Sequence, residues 1–346
     1  VNRATDTPRA DNAMQIIDAE TVRRRLTYAL CIPLVRAAMT AFSAGRTRQL
    51  LRSIIPLGDG HMFGIMPGAL GDDGVFGAKL VSVYPENFAK GRPSHQGVVV
   101  LFDPATGAPT CVADAGAITA IRTAAASAVA TEALARDDAG RLAVLGYGEQ
   151  AAGHIRAIAL VRSVTEVRVW GRDAVRAEAF AAEMTAATGL PVVAAPSVQA
   201  AVDGADIVCT CTNAAEPILL GRWLTPGVHV NLVGSSVAGP VEVDDDLVAM
   251  SRFIVDSRAG VLTQGAEFLR AKATGRIGDD HIAGEIGEVL SGAIAGRESR
   301  EQVTVYKSLG HIVQDLAAAS AIRQGADRAA LASSKASVKS LRGCGD

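Results

Sequence analysis

The stretch Arg141–Val161, RLAVLGYGEQAAGHIRAIALV, decides how this sequence is read. It opens with an apolar run of strand length, passes through glycines and continues with a helix-like pattern. The glycines set the spacing G-x-G-x-x-A, with Gly146, Gly148 and Ala151. Such a match alone is weak. Here it follows a strand, opens a helix and precedes a second strand, EVRVW (Glu166–Trp170), which is the context of a dinucleotide-binding turn. Gly146 permits the tight turn, and Gly148 lets backbone amides approach a pyrophosphate at the helix N-terminus. Gly146, Gly148, Glu149, Gln150 and Ala151 are therefore the candidate pyrophosphate contacts. The competing reading is a glycine turn that packs tightly without a ligand.

The second strand departs from the usual pattern. In such units it ends in Asp or Glu, whose carboxylate takes the ribose hydroxyls of NAD. Here VWGRD (Val169–Asp173) supplies Gly171 and Arg172. Without a carboxylate nothing disfavours a 2′-phosphate, and Arg172 can pair with one through a charge-assisted bond. The expected cofactor is NADPH, with NADH possible. The alternative is that Arg172 is a solvated turn residue and Asp173 takes the ribose.

Downstream, strand-like and helix-like segments alternate to about Asp256, which implies a parallel sheet covered on both faces. Upstream, Arg52–Leu57, Met62–Gly68, Val75–Pro85 and Gly97–Gly116 read as strands of an antiparallel or mixed sheet. DPATG in the last of these is a hairpin turn. Two helices precede them from Ile16 to Gly45, the first capped by Asp18 or Thr21. Ile118–Ala135 is a strong Ala-rich helix, and the tail from about Val303 is helical and returns to the first region.

A chain of 346 residues suggests two domains, at about 150 residues per domain. With 49% hydrophobic and 20% charged residues it has the makings of a soluble globular core. A net charge of −2 without a long basic run argues against nucleic acid as a partner. No apolar run reaches the roughly 18 residues of a membrane span, and the polar N-terminus has no signal-peptide core. A cytoplasmic location is expected. The five cysteines, Cys31, Cys111, Cys209, Cys211 and Cys344, form no CxxC pair and read as small buried residues in a reducing compartment. No metal site is expected.

Several stretches together resemble the ornithine cyclodeaminase/mu-crystallin family: Pro93–Gly97 (PSHQG), Ile118–Ala130 (ITAIRTAAASAVA), Glu216–Ser236 (EPILLGRWLTPGVHVNLVGSS), Gly284–Gly292 (GEIGEVLSG) and Thr304–Asp315 (TVYKSLGHIVQD). The resemblance runs from about residue 16 to 325. It implies a homodimer, and in each subunit an α/β fold: a Rossmann-type doubly wound parallel sheet plus a split α+β domain for dimerisation and substrate. The boundaries expected are 136–304 for the dinucleotide domain and 16–135 with 305–340 for the split domain. Residues 1–15 and 341–346 are expected to be disordered.

The family acts on amino or imino acids beside a nicotinamide ring. Arg52 matches its carboxylate-binding arginine and Lys79 its substrate lysine. Arg122 matches an arginine between the substrate carboxylate and the cofactor. Several cations around one carboxylate fix orientation as well as affinity. Lys79 lies in an apolar strand, and a buried lysine is uncommon unless paired or functional; desolvation would lower its pKa toward the range of proton transfer. His95, within PSHQ, is read as a proton relay or as orienting Lys79, although a lone His before a strand is more often structural. Ser94 stands where the family often has Thr or Ser near the nicotinamide. Thr212, Val233 and Gly234 match positions lining the cofactor, and Ser308 is a further nicotinamide-pocket candidate.

Two acids of the cyclodeaminases are absent. Ser236 occupies the place of their loop aspartate and is read as a substrate contact; Gly64 and Ile65 occupy the place of their glutamate. Serine cannot serve as a general base near neutral pH. The pattern is closer to the mu-crystallin branch, whose enzymatic members reduce cyclic ketimines. The leading expectation is NAD(P)H-dependent reduction of a small ketimine carboxylate, such as Δ1-pyrroline-2-carboxylate or Δ1-piperideine-2-carboxylate, to the L-amino acid. The alternatives are a cyclodeaminase or hydroxyproline-dehydrating lyase using bound NAD, an amino-acid dehydrogenase acting on an open-chain imine, and a non-catalytic binding protein.

Overall fold

The computed structural model describes residues 14–72 and 74–325. Its first sheet comprises β1 (Gln15–Ile17), β2 (Arg48–Gln49), β3 (Ser53–Gly58), β4 (His61–Ala69), β5 (Phe76–Val83), β6 (His95–Phe102) and β7 (Pro109–Asp114). The strand order is β1-β7-β6-β5-β4-β2, with β3 also paired to β4. Every pair is antiparallel except β1 with β7. The DPATG hairpin forms as the sequence predicts, because Asp103 Oδ1 accepts from the backbone N–H groups of Ala105 and Thr106, each at 2.9 Å. Gln15 belongs to β1, which corrects its place in the disordered lead-in; the rest of both expected disordered ends, apart from Met14, lies outside the described residues.

Three helices cover this sheet: α1 (Ala19–Arg25), α2 (Tyr28–Ser43) and α3 (Ala115–Leu134). Asp18 is the cap of α1, accepting from Thr21 N at 2.8 Å. The third helix is buried nearly all round, and its residues show the reason. Ala, Ser and Thr at most positions let α1, α2 and α4 (Glu149–Ile158) approach it closely, while β6 and a strand of the second sheet pack on its remaining sides. It therefore joins the two halves of the molecule.

The second sheet comprises β8 (Arg141–Leu145), β9 (Glu166–Trp170), β10 (Val192–Ala194), β11 (Ile207–Thr210), β12 (His229–Leu232), β13 (Arg252–Val255), β14 (Ile282–Glu285) and β15 (Thr304–Lys307). Its order is β10-β9-β8-β11-β12-β15-β13-β14, and every pair is parallel. Together with α4, the connecting helices are α5 (Ala174–Thr188), α6 (Val198–Val202), α7 (Asp245–Met250), α8 (Arg258–Gln264), α9 (Ala266–Ala273) and α10 (Ile286–Leu290). One core joins Ile155, Ile158, Ala181 and Met184 to the sheet, and another joins Val198, Leu247, Val261 and Phe268 to it. A parallel sheet buried by two such cores is a doubly wound α/β sheet. Its strand order reverses between β8 and β11, and there the strand carboxyl ends open the crevice in which such folds bind ligands.

The last strand corrects the expected boundary. β15 pairs with both β12 and β13, so the dinucleotide sheet runs to Lys307 rather than ending at residue 304. The chain then turns through Ser308–His311 into α11 (residues 312–325). Ile312, Val313, Leu316, Ala319 and Ile322 of α11 enter the core formed by α2 and α3. Among the described residues no single helix is long and apolar enough to cross a membrane.

Candidate active site

The glycine turn joins β8 to α4 at the strand crevice. Gly146 has φ +123°, and an added Cβ would stand 2.4 Å from Cys211 O, so the turn requires glycine. Gly148 is the N-cap of α4 and offers no side-chain cap, leaving the N–H groups of the first turn without a side-chain partner there. An added Cβ at Gly148 would meet nothing within 4 Å. Free helix N–H groups facing open space fit a pyrophosphate. Ala151 is fully buried behind the turn, while the exposed Glu149 side chain lies 3.8 Å from Arg23. Gln150 Oε1 is buried without a partner among the described residues.

At the end of β9, Asp173 caps α5, accepting from Arg176 N at 3.1 Å. The one carboxylate in VWGRD is thus engaged at the helix start. Gly171 lies against the edge of the Tyr147 ring, and Arg172 is exposed.

A buried glutamate that the sequence did not single out ties two crevice loops together. Glu242 accepts from Thr212 N (2.8 Å), Thr212 Oγ1 (2.7 Å), Thr210 Oγ1 (2.6 Å) and Gly234 N (2.8 Å). The Thr212 hydroxyl donates to Glu242 and so cannot donate to a ligand in this arrangement. Val233, next to Gly234, is buried. Behind them Lys307 Nζ donates to Ser235 O at 2.6 Å and pairs with Glu267 at 2.7 Å, both charges being fully buried. Glu242→Ala would leave four donors without an acceptor. The expected loss is about 3 kcal/mol, measured as a lowered urea midpoint; an unchanged midpoint would show that the loops do not depend on Glu242.

The carboxylate-binding candidates converge from both halves of the chain. Lys79 sits mid-strand in β5, opposite Met66 of β4 and Val99 of β6. Its residue is 4% exposed, and Nζ donates to Thr119 Oγ1 at 2.5 Å and lies 3.5 Å from Asp315 Oδ1. Arg122, one turn beyond Thr119 on α3, donates Nε to Asp315 Oδ1 (3.1 Å) and Nη1 to Gln314 Oε1 (3.0 Å). Asp315 thus draws Lys79 and Arg122 together. Arg52 donates Nη1 to Ser236 O at 3.2 Å and Nη2 to Leu309 O at 2.9 Å. Ser236 meets Arg52 through its backbone carbonyl. The 308–310 loop also closes on Arg122: an added Cβ at Gly310 would come 2.5 Å from its Nη1.

Burial governs the electrostatics. Lys79 is pulled down to about 8, first by desolvation and then by Arg122 and Arg52, with Asp315 opposing. Arg52 is lowered by desolvation and by Arg122. Asp256, which accepts from Leu309 N and Gly310 N at 2.7 Å each, is raised to about 6 by burial. Three cations therefore face two carboxylates, and the surplus is positive.

His95 is set apart from this cluster. It opens β6 opposite Val83, four residues along the strand from Lys79, or about 13 Å between backbones. Its ring pairs with Ser94 Oγ at 3.0 Å. Thr119 and Asp315, rather than His95, orient Lys79. Partial burial and then the Lys79 and Arg52 charges lower the His95 pKa, so its ring still feels the cluster. Ser308 is buried with its Oγ unpartnered among the described residues, and its N–H donates to Leu232 O at 3.1 Å.

Of the functional groups that residue-by-residue reading missed, Asp315 and Gln314 lie within the motif Thr304–Asp315, and Asp315 is an acid inside the apolar run HIVQDLAAASAI. That was a usable signal. Thr119 lies likewise within the motif Ile118–Ala130, whereas Glu242, Asp256 and Glu267 carried none.

A doubly wound sheet with an open glycine turn, beside a buried cluster of two arginines and a lysine, defines a dinucleotide-binding protein with a pocket for a small carboxylate. Residues 12–329 match the model of the ornithine cyclodeaminase/mu-crystallin family. The chain is 39% identical over 312 residues to the ketimine reductase mu-crystallin of Mus musculus, covering 89% of this chain and 96% of that protein. It is 34% identical over 305 residues to a Delta(1)-pyrroline-2-carboxylate reductase of Bacillus cereus, covering 88% and 94%. Among solved structures, the Delta(1)-pyrroline-2-carboxylate reductase of Thermococcus litoralis, in complex with NADH and L-proline, superposes with a TM-score of 0.89 at 32% identity, covering 92% of this chain and 98% of that one. The chain belongs to the ornithine cyclodeaminase/mu-crystallin family.

Proposed function

We propose that this protein is an NAD(P)H-dependent reductase of small cyclic ketimine carboxylates, such as Δ1-pyrroline-2-carboxylate or Δ1-piperideine-2-carboxylate, yielding the L-amino acid. The observation that carries the reading is the surplus of buried positive charge at Arg52, Lys79 and Arg122, next to the crevice of the dinucleotide sheet. A substrate carboxylate supplies the missing negative charge.

Arg52 and Arg122 bind that carboxylate and fix the plane of the imine. Lys79 Nζ protonates the imine nitrogen as the C=N bond becomes C–N, and the reduced nicotinamide supplies the hydride to the carbon. With its pKa drawn to about 8, Lys79 is protonated at neutral pH and gives up the proton readily. The expected pH profile follows: kcat/KM falls as pH rises through about 8, because the neutral amine can neither donate nor attract the carboxylate. A profile flat to pH values well above this would contradict the role.

The 2′-phosphorylated cofactor is the preferred one in this reading. Arg172 is exposed at the end of β9, and Asp173 is occupied as a helix cap. A second copy of the chain is proposed to cover β3, where Ile54, Ile55 and Leu57 are 38%, 50% and 51% exposed beside Leu50 at 70%. The domain division proposed is a split substrate and dimerisation unit around a dinucleotide unit that ends after Lys307. The buried thiols Cys31 and Cys209 suit a reducing compartment such as the cytoplasm.

The test is a substrate panel with NADPH. Turnover of the cyclic imines well above that of pyruvate with ammonium supports the reading; preference for the open-chain pair would make the protein an amino-acid dehydrogenase.

A further inference from the structure

Arg52 lies on the link between β2 and β3 of the first sheet, yet both acceptors it meets belong to the second. Nη1 donates to Ser236 O at 3.2 Å and Nη2 to Leu309 O at 2.9 Å, on the loops that leave β12 and β15. Two carbonyls on two loops fix the plane of the rigid guanidinium fork. They leave Nε–H, which is buried without a partner among the described residues, as a donor for a ligand.

The two carbonyls are themselves held by buried charges that the mechanism above does not use. Lys307, the last residue of β15, donates Nζ to Ser235 O at 2.6 Å, on the peptide next to that of Ser236 O. Asp256, directly after β13, accepts with Oδ2 from Leu309 N and Gly310 N at 2.7 Å each. Both residues are fully buried.

Stability does not explain these charges. Lys307 pairs with the equally buried Glu267 at 2.7 Å, and two charges taken out of water cost about as much as their attraction returns. A well-packed apolar pair would serve the fold as well. What an ammonium adds is a shorter and stronger bond to a carbonyl than a neutral donor makes. The Asp256 carboxylate does the same for two consecutive N–H groups.

We infer that Lys307 and Asp256 are positioning residues for carboxylate binding: they hold the backbone carbonyls that orient Arg52, and act on the substrate only through it. Their role rests on the carboxylate binding proposed above for Arg52.

Steady-state kinetics at saturating NADPH with Δ1-pyrroline-2-carboxylate test this in a double-mutant cycle. Lys307→Met with Glu267→Gln removes both charges of the buried pair at once and leaves no lone ion behind. Arg52→Met is expected to raise KM about a hundredfold. The Lys307/Glu267 variant is expected to raise it about tenfold, with kcat changing less than about threefold, because only the grip on the carboxylate is loosened. Combined with Arg52→Met, it is expected to add less than about twofold. A merely structural defect would add its full effect there. Asp256→Asn passes through the same cycle, so the test stands even where the buried pair cannot be replaced. If the effects of Lys307 and Asp256 are absent, or add in full to that of Arg52, the positioning role is overturned while that of Arg52 stands. If Arg52→Met itself leaves KM unchanged, the role of Arg52 fails and theirs with it.

Discussion

Lys79→Ala is expected to lower kcat/KM for the cyclic imine by about three orders of magnitude while leaving dinucleotide affinity unchanged. The magnitude follows from two losses at one atom. In the proposed mechanism Nζ is the proton source, and proton transfer by a positioned group contributes about a hundred- to ten-thousand-fold. Nζ is also one of three cations facing the carboxylate. Lys79 lies mid-sheet between Met66 and Val99 with 4% of the residue exposed, so water has little access to replace its amine. Steady-state kinetics with the imine, alongside a dinucleotide titration, separate the possibilities. A protein that only binds its ligand would show no turnover to lose. A variant retaining more than about a tenth of wild-type kcat/KM would remove Lys79 from the chemistry.

Asp315→Ala is expected to produce the largest structural effect. Asp315 is fully buried and lies 3.1 Å from Arg122 Nε and 3.5 Å from Lys79 Nζ. Removing it leaves two cations facing each other in a low-dielectric site, with Arg52 adding to the repulsion. Breaking a buried pair in this way costs about 3–5 kcal/mol, a large fraction of the stability of an ordinary domain. Asp315→Asn separates charge from shape. It can keep an acceptor for Arg122, and because Asp315 is the group that raises the Lys79 pKa, its loss moves the Lys79 titration below about 8. Urea unfolding of both variants and the pH profile of the second are the measurements. Wild-type stability in Asp315→Ala would mean that the cluster is open to solvent and counter-ions, against the burial described.

The parts of this fold legible in the sequence are those whose signal is local. The β8–α4 turn announces itself because glycine spacing, strand and helix fall within Arg141–Val161. The third helix is legible because a run with alanine at nine of its twenty positions and no proline has few other uses. The family resemblance then picked out Arg52, Lys79 and Arg122, which residue type alone could not rank. Pairings across the chain were illegible. Lys79 and Asp315 are 236 positions apart, and Arg122 and Asp315 are 193 apart, so no periodicity reports them. The insertion of β15 between β12 and β13 was hidden for a related reason: a short apolar run says that a strand is buried and not which strands flank it. His95 lies within the motif Pro93–Gly97, but its ring pairs with Ser94 while Lys79 Nζ donates to Thr119, a choice of partners that the motif does not report.

Net reduction of a carbon–nitrogen double bond is read out by cofactor stoichiometry. Purified protein is given Δ1-pyrroline-2-carboxylate and excess NADPH, and nicotinamide absorbance is followed together with L-proline formed. Equal molar amounts of NADPH consumed and L-proline produced are expected. No NADPH consumption, with ornithine or a hydroxyproline converted in the presence of catalytic NAD⁺ and no net change in cofactor, would contradict net reduction and identify a lyase.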